Sequence, residues 1–351
     1  MAPPPYFTTS VLAYLCVICI NIHKVYAVAP VPAPLSGLAG RDFLRVGDLT
    51  AEELLALLRL AAFLKRQPMR EQRHLLRERI VALLFEKPSL RTRVSFEVAT
   101  AKLGGKTLFA QGSEFAVGSR ETPEDAARVL SGYVDAIVVR THEHAPLARF
   151  ARAASVPVIN GLSAEAHPCQ ALADMLTLAE HFGDVRGLCI AYLGDARNNV
   201  AASFAEAAVM LGATVHFGCP NTHRPSEAFL TRLAGLASGT GGGARAFANP
   251  VRAVRGADAL YTDVWTSMGE EQYRERNDAM LQSYAVTPEL MGYAAAHAIF
   301  LHCLPAHRGE EVSADVIDGP QSAVYLQAEN RMHAQKALLV ALLTHCKGYP
   351  I

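Results

Sequence analysis

Short apolar runs alternate with amphipathic stretches of helical length from residue 38 to residue 343, and no other feature of the sequence constrains the fold as tightly. Runs at 80–85, 136–139, 156–159, 188–193, 214–217, 259–261 and 299–301 are apolar on both alternate positions, as expected of strands buried on both faces of a parallel sheet. Between the strands, Thr50 with Glu53 forms a capping box ahead of a periodic stretch reaching Leu64, and Thr122 with Asp125 repeats the device before 126–130. One helix is expected to open at Ser89. Another is expected to run from His167 to about Phe182 and to end at Gly183. Seven strands suffice for two small sheets. The expected fold class is therefore α/β: two domains, each with a parallel sheet flanked by helices, and a ligand cleft between them at the carboxyl ends of the strands.

The 351 residues accommodate two domains of ordinary size, with a division expected near the 167–182 helix. Lys plus Arg and Asp plus Glu are equal at 33 each, so no global field draws the chain to nucleic acid or to an anionic membrane. Seven scattered cysteines, an odd number, do not suggest a disulfide framework and fit a reducing compartment. Residues 1–36 hold no Asp, Glu or Arg, and their apolar run at 11–20 is too short to span a bilayer. They are read as lying outside the fold, whether as an organellar leader, a weak signal or a misassigned start. The Cys16-x-x-Cys19 pair has no second pair or His cluster beside it and reads as apolar filler.

Chemistry concentrates at predicted strand ends. After 80–85 the chain reads Glu86-Lys87-Pro88-Ser89-Leu90-Arg91-Thr92-Arg93, in which free N–H groups at a helix start would join the Arg91 and Arg93 guanidinium groups and two hydroxyls in an anion site. Arg140 directly follows the 136–139 run. His167-Pro168-Cys169-Gln170 opens the helix between the domains, and His302-Cys303-Leu304-Pro305 ends the last strand. Taken singly, His167 reads as a helix-cap histidine and Cys303 as a small buried apolar residue. Taken together the four clusters outline one cleft. His142, Glu143 and His144 lack the His-Glu-x-x-His spacing of a zinc helix and read as exposed loop residues. Gly194-Asp195-Ala196 lacks a dinucleotide fingerprint, and the Gly-rich loop 238–243 has no following Lys-Ser or Lys-Thr pair, reading instead as a flexible surface connection. No metal or organic cofactor is expected.

In order and spacing, 85–93, 167–170, Asp263-Val264-Trp265-Thr266-Ser267-Met268-Gly269 and 302–305 resemble the aspartate/ornithine carbamoyltransferase family. The last two motifs match its ornithine branch, and the resemblance runs from about Gly40 to Leu343. It implies transfer of a carbamoyl group from carbamoyl phosphate to the side-chain amine of L-ornithine, giving L-citrulline and phosphate. Ser89, the Leu90 backbone, Arg91 and Thr92 would hold the phosphate. Arg140, His167 and Gln170 would hold the carbamoyl end, with Cys303, Leu304 and Arg331 completing that pocket. Asn199, Asp263, Ser267 and Met268 match the ornithine positions, with Asn198 the weaker candidate of the Asn pair. Arg91, Arg140, His167, Asp263 and Cys303 would carry the chemistry, with Asp263 placing the amine and Cys303 tuning the local field without a covalent intermediate; a Cys303 nucleophile, with His302 nearby, is the competing reading.

The resemblance further implies a carbamoyl-phosphate-binding domain at 37–170, onto which a helix at 327–346 packs back, and an ornithine-binding domain at 171–326. It implies a homotrimer in which 111–121 reaches a neighbouring site, and a cytoplasmic enzyme, or a mitochondrial or plastid one in a eukaryote. Leu90 stands where many relatives have Thr, and Ala116 where several have Gln, which removes polar contacts near the phosphate. A modified or different amine, such as an acylated ornithine or putrescine, is the alternative substrate, and a non-catalytic paralogue is the alternative from another class.

Overall fold

The computed structural model describes residues 33–112, 121–266 and 271–344. Nine strands form two all-parallel sheets. The first has the order β2-β1-β3-β4, from β1 (Ile80–Phe85), β2 (Lys106–Gln111), β3 (Ala136–Arg140) and β4 (Val158–Leu162). The second has the order β7-β6-β5-β8-β9, from β5 (Cys189–Leu193), β6 (Thr214–Gly218), β7 (Gly243–Phe247), β8 (Ala259–Thr262) and β9 (Ile299–His302).

Both faces of the sheets are covered, and this is why the strands read as unbroken apolar runs. Along β1, Val81, Leu83 and Phe85 enter one core, while Ala82 and Leu84 enter another with Ile137, Val139, Leu147 and Phe150. The largest core is continuous between the halves. It joins the helices Ala51–Arg66, Pro168–Phe182, Asn199–Met210 and Val324–Leu343. The last of these packs against Ala51–Arg66, Leu90–Lys102 and Pro168–Phe182.

The predicted caps are present. Thr50 Oγ1 accepts from the Glu53 N–H while Glu53 reaches back to the Thr50 N–H, and Thr122 accepts from the Asp125 N–H. Gly183, at φ +86°, ends the Pro168–Phe182 helix.

Four expectations need correction. β2 and β7 were not foreseen, because both are half-solvated edge strands with no continuous apolar run. Residues 33–36, read as lying outside the fold, belong to it, with Leu35 fully buried. His144 is buried at the start of the His144–Ala153 helix, with Nδ1 2.8 Å from Ser163 Oγ, whereas His142 and Glu143 are exposed as expected. The 238–243 loop is tied down: Thr240 Oγ1 donates to the Val209 carbonyl at 2.7 Å, and a Cβ on Gly242 would lie 2.4 Å from that oxygen.

Each sheet has a topological switch. In the first, β1 lies between β2 and β3, and in the second β5 lies between β6 and β8. Ligands of open parallel sheets bind at the carboxyl ends of strands beside such switches. Ser89, Arg140, Asp263 and Cys303 all follow or end strands at those edges.

Candidate active site

The helix Leu90–Lys102 begins at the carboxyl end of β1 with Ser89 as its N-cap. The Ser89 side chain does not cap the helix. Its hydroxyl donates instead to Thr92 Oγ1 at 3.0 Å, so the first-turn N–H groups keep their capacity for an anion at the positive end of the helix dipole. Arg331, from Val324–Leu343, reaches across and donates from Nη2 to Thr92 Oγ1 at 2.6 Å. Arg91 and Leu90 lie on the exposed first turn. Arg93 turns away: its Nε bonds Glu97 at 2.9 Å and its guanidinium stacks 3.8 Å from the centre of the Phe109 ring, so it does not add to the anion site.

Arg140 ends β3 and is only 5 % exposed, and Arg331 is 4 % exposed. Burial, followed by repulsion from Arg331 and Arg91, pushes Arg140 down to about 10. Burial and Arg91 push Arg331 the same way. His167, 4 % exposed, is held far below the ordinary imidazole range by burial, then by Arg331 and Arg140, so its ring is neutral at physiological pH. Arg140 Nε, Arg331 Nε, His167 Nδ1 and Gln170 Oε1 are buried without a hydrogen-bond partner. Buried polar groups are ordinarily satisfied, and a cluster of exceptions among like charges marks a place built for a negative ligand.

The second half closes the site. Asp263 follows β8 and accepts from the Cys303 thiol at 3.0 Å. Burial, then the Asp263 carboxylate, pushes the Cys303 thiol well above its usual range, which keeps it protonated. The Leu304 N–H donates to His302 Nδ1 at 2.9 Å, so the ring proton sits on Nε2 and is donated to the buried Glu311 at 3.1 Å. These bonds hold Leu304 in the left-handed region, at φ +58°. Donor atoms of Asp263, His302 and Cys303 lie within 4.8 Å of one another, but both His302 nitrogens are committed, so a metal would have to break this turn. Asn199 donates from Nδ2 to the Ser163 carbonyl at 2.6 Å, tying the second half to the loop after β4. Asn198 is occupied as the helix cap, accepting from the Ala201 N–H and from Tyr192. Ser267, Met268 and Ala116 lie outside the described residues.

Several supporting groups were not picked out from the sequence. The His167 N–H is anchored by Ser203 Oγ at 2.8 Å. Asp174 gathers Gln170, Gln327 and Tyr261. Asp174 was within reach of pattern reasoning, since it lies four residues after Gln170 on one helix. Gln327 and Tyr261 carry no local signal.

Fold and site together define a two-lobed α/β protein with buried arginines beside an uncapped helix start, where helix, strand and C-terminal helix converge. Residues 41–180 match the carbamoyl-P binding domain of the aspartate/ornithine carbamoyltransferases, and residues 186–342 match their Asp/Orn binding domain. A Pyrococcus furiosus protein named as anabolic ornithine carbamoyltransferase is 46% identical over 87% of this chain and 97% of its own. An ornithine carbamoyltransferase of Bacillus anthracis is 44% identical over 86% of this chain and 94% of its own. The solved Pyrococcus furiosus ornithine carbamoyltransferase superposes with a TM-score of 0.84, covering 87% of this chain and 98% of that one. The mitochondrial enzyme of Coccidioides immitis, 34% identical, superposes at 0.80 over 89% of this chain and 100% of its own. The chain belongs to the aspartate/ornithine carbamoyltransferase family.

Proposed function

We infer that the protein is an ornithine carbamoyltransferase, which moves the carbamoyl group of carbamoyl phosphate to the side-chain amine of L-ornithine and releases L-citrulline and phosphate. One observation carries the reading from the molecule itself. Two nearly inaccessible guanidinium groups, Arg140 and Arg331, repel each other beside an uncapped helix start, and a doubly charged phosphate relieves that repulsion.

The phosphate is assigned to Ser89, Thr92, the Leu90 backbone, Arg91, Arg140 and Arg331, and the carbamoyl end to His167, Gln170, Cys303 and Leu304. The amine nitrogen attacks the carbamoyl carbon and forms the new C–N bond. The bond to the phosphate oxygen then breaks, its electrons leave with phosphate, and the departing phosphate takes the proton that the amine nitrogen gives up. The arginines stabilise charge gathering on the leaving group, and the neutral His167 ring donates its N–H to the carbonyl oxygen as that oxygen becomes negative. Asp263 positions the amine. Cys303, protonated and bonded to Asp263, shapes the field without attacking. Asn199, Ser267 and Met268 complete the ornithine pocket.

The proposed carbamoyl-phosphate-binding domain is 37–170, with the C-terminal helix returning to it, and 171–326 is the ornithine-binding domain. The proposed assembly is a homotrimer. Exposed Val94 and Val98, four apart on one helix, and exposed Leu108 on the edge strand β2 support an apolar contact with a second copy. The proposed location is the cytoplasm, or the mitochondrion or a plastid in a eukaryote; among the described residues no helix is long and apolar enough to cross a membrane.

The test is product formation from carbamoyl phosphate with ornithine, N-acetylornithine, putrescine or aspartate as acceptor. Citrulline from ornithine, and little product from the others, is expected. Preference for another acceptor, or no phosphate release with any, would refute the assignment.

A further inference from the structure

We propose that Asp174 is a positioning residue for the carbamoyl group: its Oδ1 fixes the orientation of the Gln170 amide, so that Gln170 Oε1 is presented to the carbamoyl nitrogen. This inference rests on the function proposed above and deepens it.

The argument begins with an ambiguity of carboxamides, whose two ends differ in polarity but hardly in shape. A glutamine beside a bound carbamoyl group serves as an acceptor for its NH2 only if the oxygen end faces it, and an unanchored amide samples both orientations. Gln170 is 1 % exposed in the first turn of Pro168–Phe182. Its Nε2 donates to Asp174 Oδ1 at 2.8 Å, and its Oε1 is left buried without a partner. A carboxylate oxygen accepts and does not donate, so the opposite amide orientation would set two acceptors face to face.

The same oxygen sets a second amide. Gln327 Nε2 donates to Asp174 Oδ1 at 2.7 Å, and Gln327 Oε1 accepts the His302 N–H at 2.9 Å. One oxygen thus joins the carbamoyl side of the cleft to the strand end that carries Cys303. Among the described residues the other oxygen, Oδ2, meets only the Tyr261 hydroxyl, at 3.2 Å. A hydroxyl can donate or accept. Asp174, wholly buried and pushed by burial up to about 7, can therefore bind a proton on Oδ2 while Oδ1 keeps both glutamines. The orienting function belongs to the acceptor at Oδ1 and not to the charge, so an asparagine with its oxygen toward the glutamines and its NH2 toward Tyr261 should serve nearly as well.

The experiment is a double-mutant cycle on Asp174 and Gln170 in the full chain, reading kcat and both KM values from citrulline formation, with thermal melts beside each variant. Asp174→Ala is expected to lower kcat by roughly tenfold to a hundredfold, the scale of a misplaced positioning group, and to leave the KM for ornithine within about threefold. In a Gln170→Ala background the same change should lower kcat by less than about threefold, because the orientation it supplied has no amide left to act on. Asp174→Asn should restore most of the parent kcat. Additive losses in the cycle overturn the proposal. So does an Asp174→Asn variant that melts no lower than the parent but loses kcat by tenfold or more, and this arm stands even if Asp174→Ala does not fold. A parent that makes no citrulline would instead sink the assigned reaction, and this role with it.

Discussion

Replacing Arg331 by methionine tests the proposed anion site in two opposed directions. The methionine keeps most of the volume of the buried stem and removes the charge. Arg140 is pushed down to about 10, which corresponds to about 3 kcal/mol of disfavour for its charged form, with burial the larger cause and Arg331 the next. This penalty is present at every pH below about 10, so it does not vary around neutrality. Without ligand, Arg331→Met gives up a charge-assisted bond to Thr92, worth about 1.5–3 kcal/mol, and in return relieves the repulsion on Arg140 and the cost of burying a second guanidinium. The apo protein should therefore melt within a few degrees of the parent. With ligand the balance reverses. A charge-assisted bond to a phosphate oxygen is worth about 1.5–3 kcal/mol, so phosphate and carbamoyl phosphate should bind roughly tenfold to a hundredfold more weakly. Thermal melts across a phosphate series, with isothermal titration of both proteins, separate the two effects. The reasoning fails if the variant binds phosphate with the parent's affinity, or if it loses many degrees in the absence of any anion.

Four further outcomes are expected. His167→Ala should slow citrulline formation by roughly a hundredfold or more, the worth of one oxyanion donor, with a parent-like melt; unchanged turnover removes the ring from the reaction. Cys303→Ser should keep activity within about tenfold, because a thiol held protonated by burial and Asp263 is no nucleophile, and loss of nearly all turnover would revive a covalent step. Asp174 is raised to about 7, so its share of stability is complete below about pH 4 and is lost as pH rises to 7; Asp174→Asn should gain on the parent as pH rises from about 4 to about 7, by at most about 4 kcal/mol, and a difference in melting that stays flat across that window contradicts this. Gly104 has φ +89° and its added Cβ would sit 1.8 Å from the Arg73 carbonyl oxygen, so Gly104→Ala should lower stability by more than about 2 kcal/mol in denaturant melts, and a parent-like midpoint would argue against that close approach.

The elements legible in the sequence were those whose environment is uniform. A strand covered on both faces, such as β1 or β5, is apolar throughout, and a helix with Thr50 or Thr122 at its start announces its first turn. Edge strands β2 and β7 meet water on one side and lose that signature. His144 read as an exposed residue because its partner in the fold, Ser163, lies nineteen positions away, where no local pattern shows it. The proposed anion site follows the same division. Ser89, Arg91, Thr92, His167 and Gln170 stand in compact motifs at element starts. Arg93 belongs to the same motif, but helical geometry turns it to Glu97, which composition alone could not foretell. Arg331 meets Thr92 across 239 positions, and Gln327 meets Asp174 across 153; no local pattern encodes either pairing, and only the resemblance pointed to Arg331.

The central assertion is that groups far apart in the chain converge on one doubly charged ligand. It is tested most directly by a crystal structure with a non-hydrolysable phosphonate analogue of carbamoyl phosphate. The phosphonate should lie at the start of the Leu90–Lys102 helix, its oxygens within hydrogen-bonding distance of Ser89, Thr92, Arg91, Arg140 and Arg331. A phosphonate bound elsewhere, or bound there with Arg140 and Arg331 both out of reach, would contradict it.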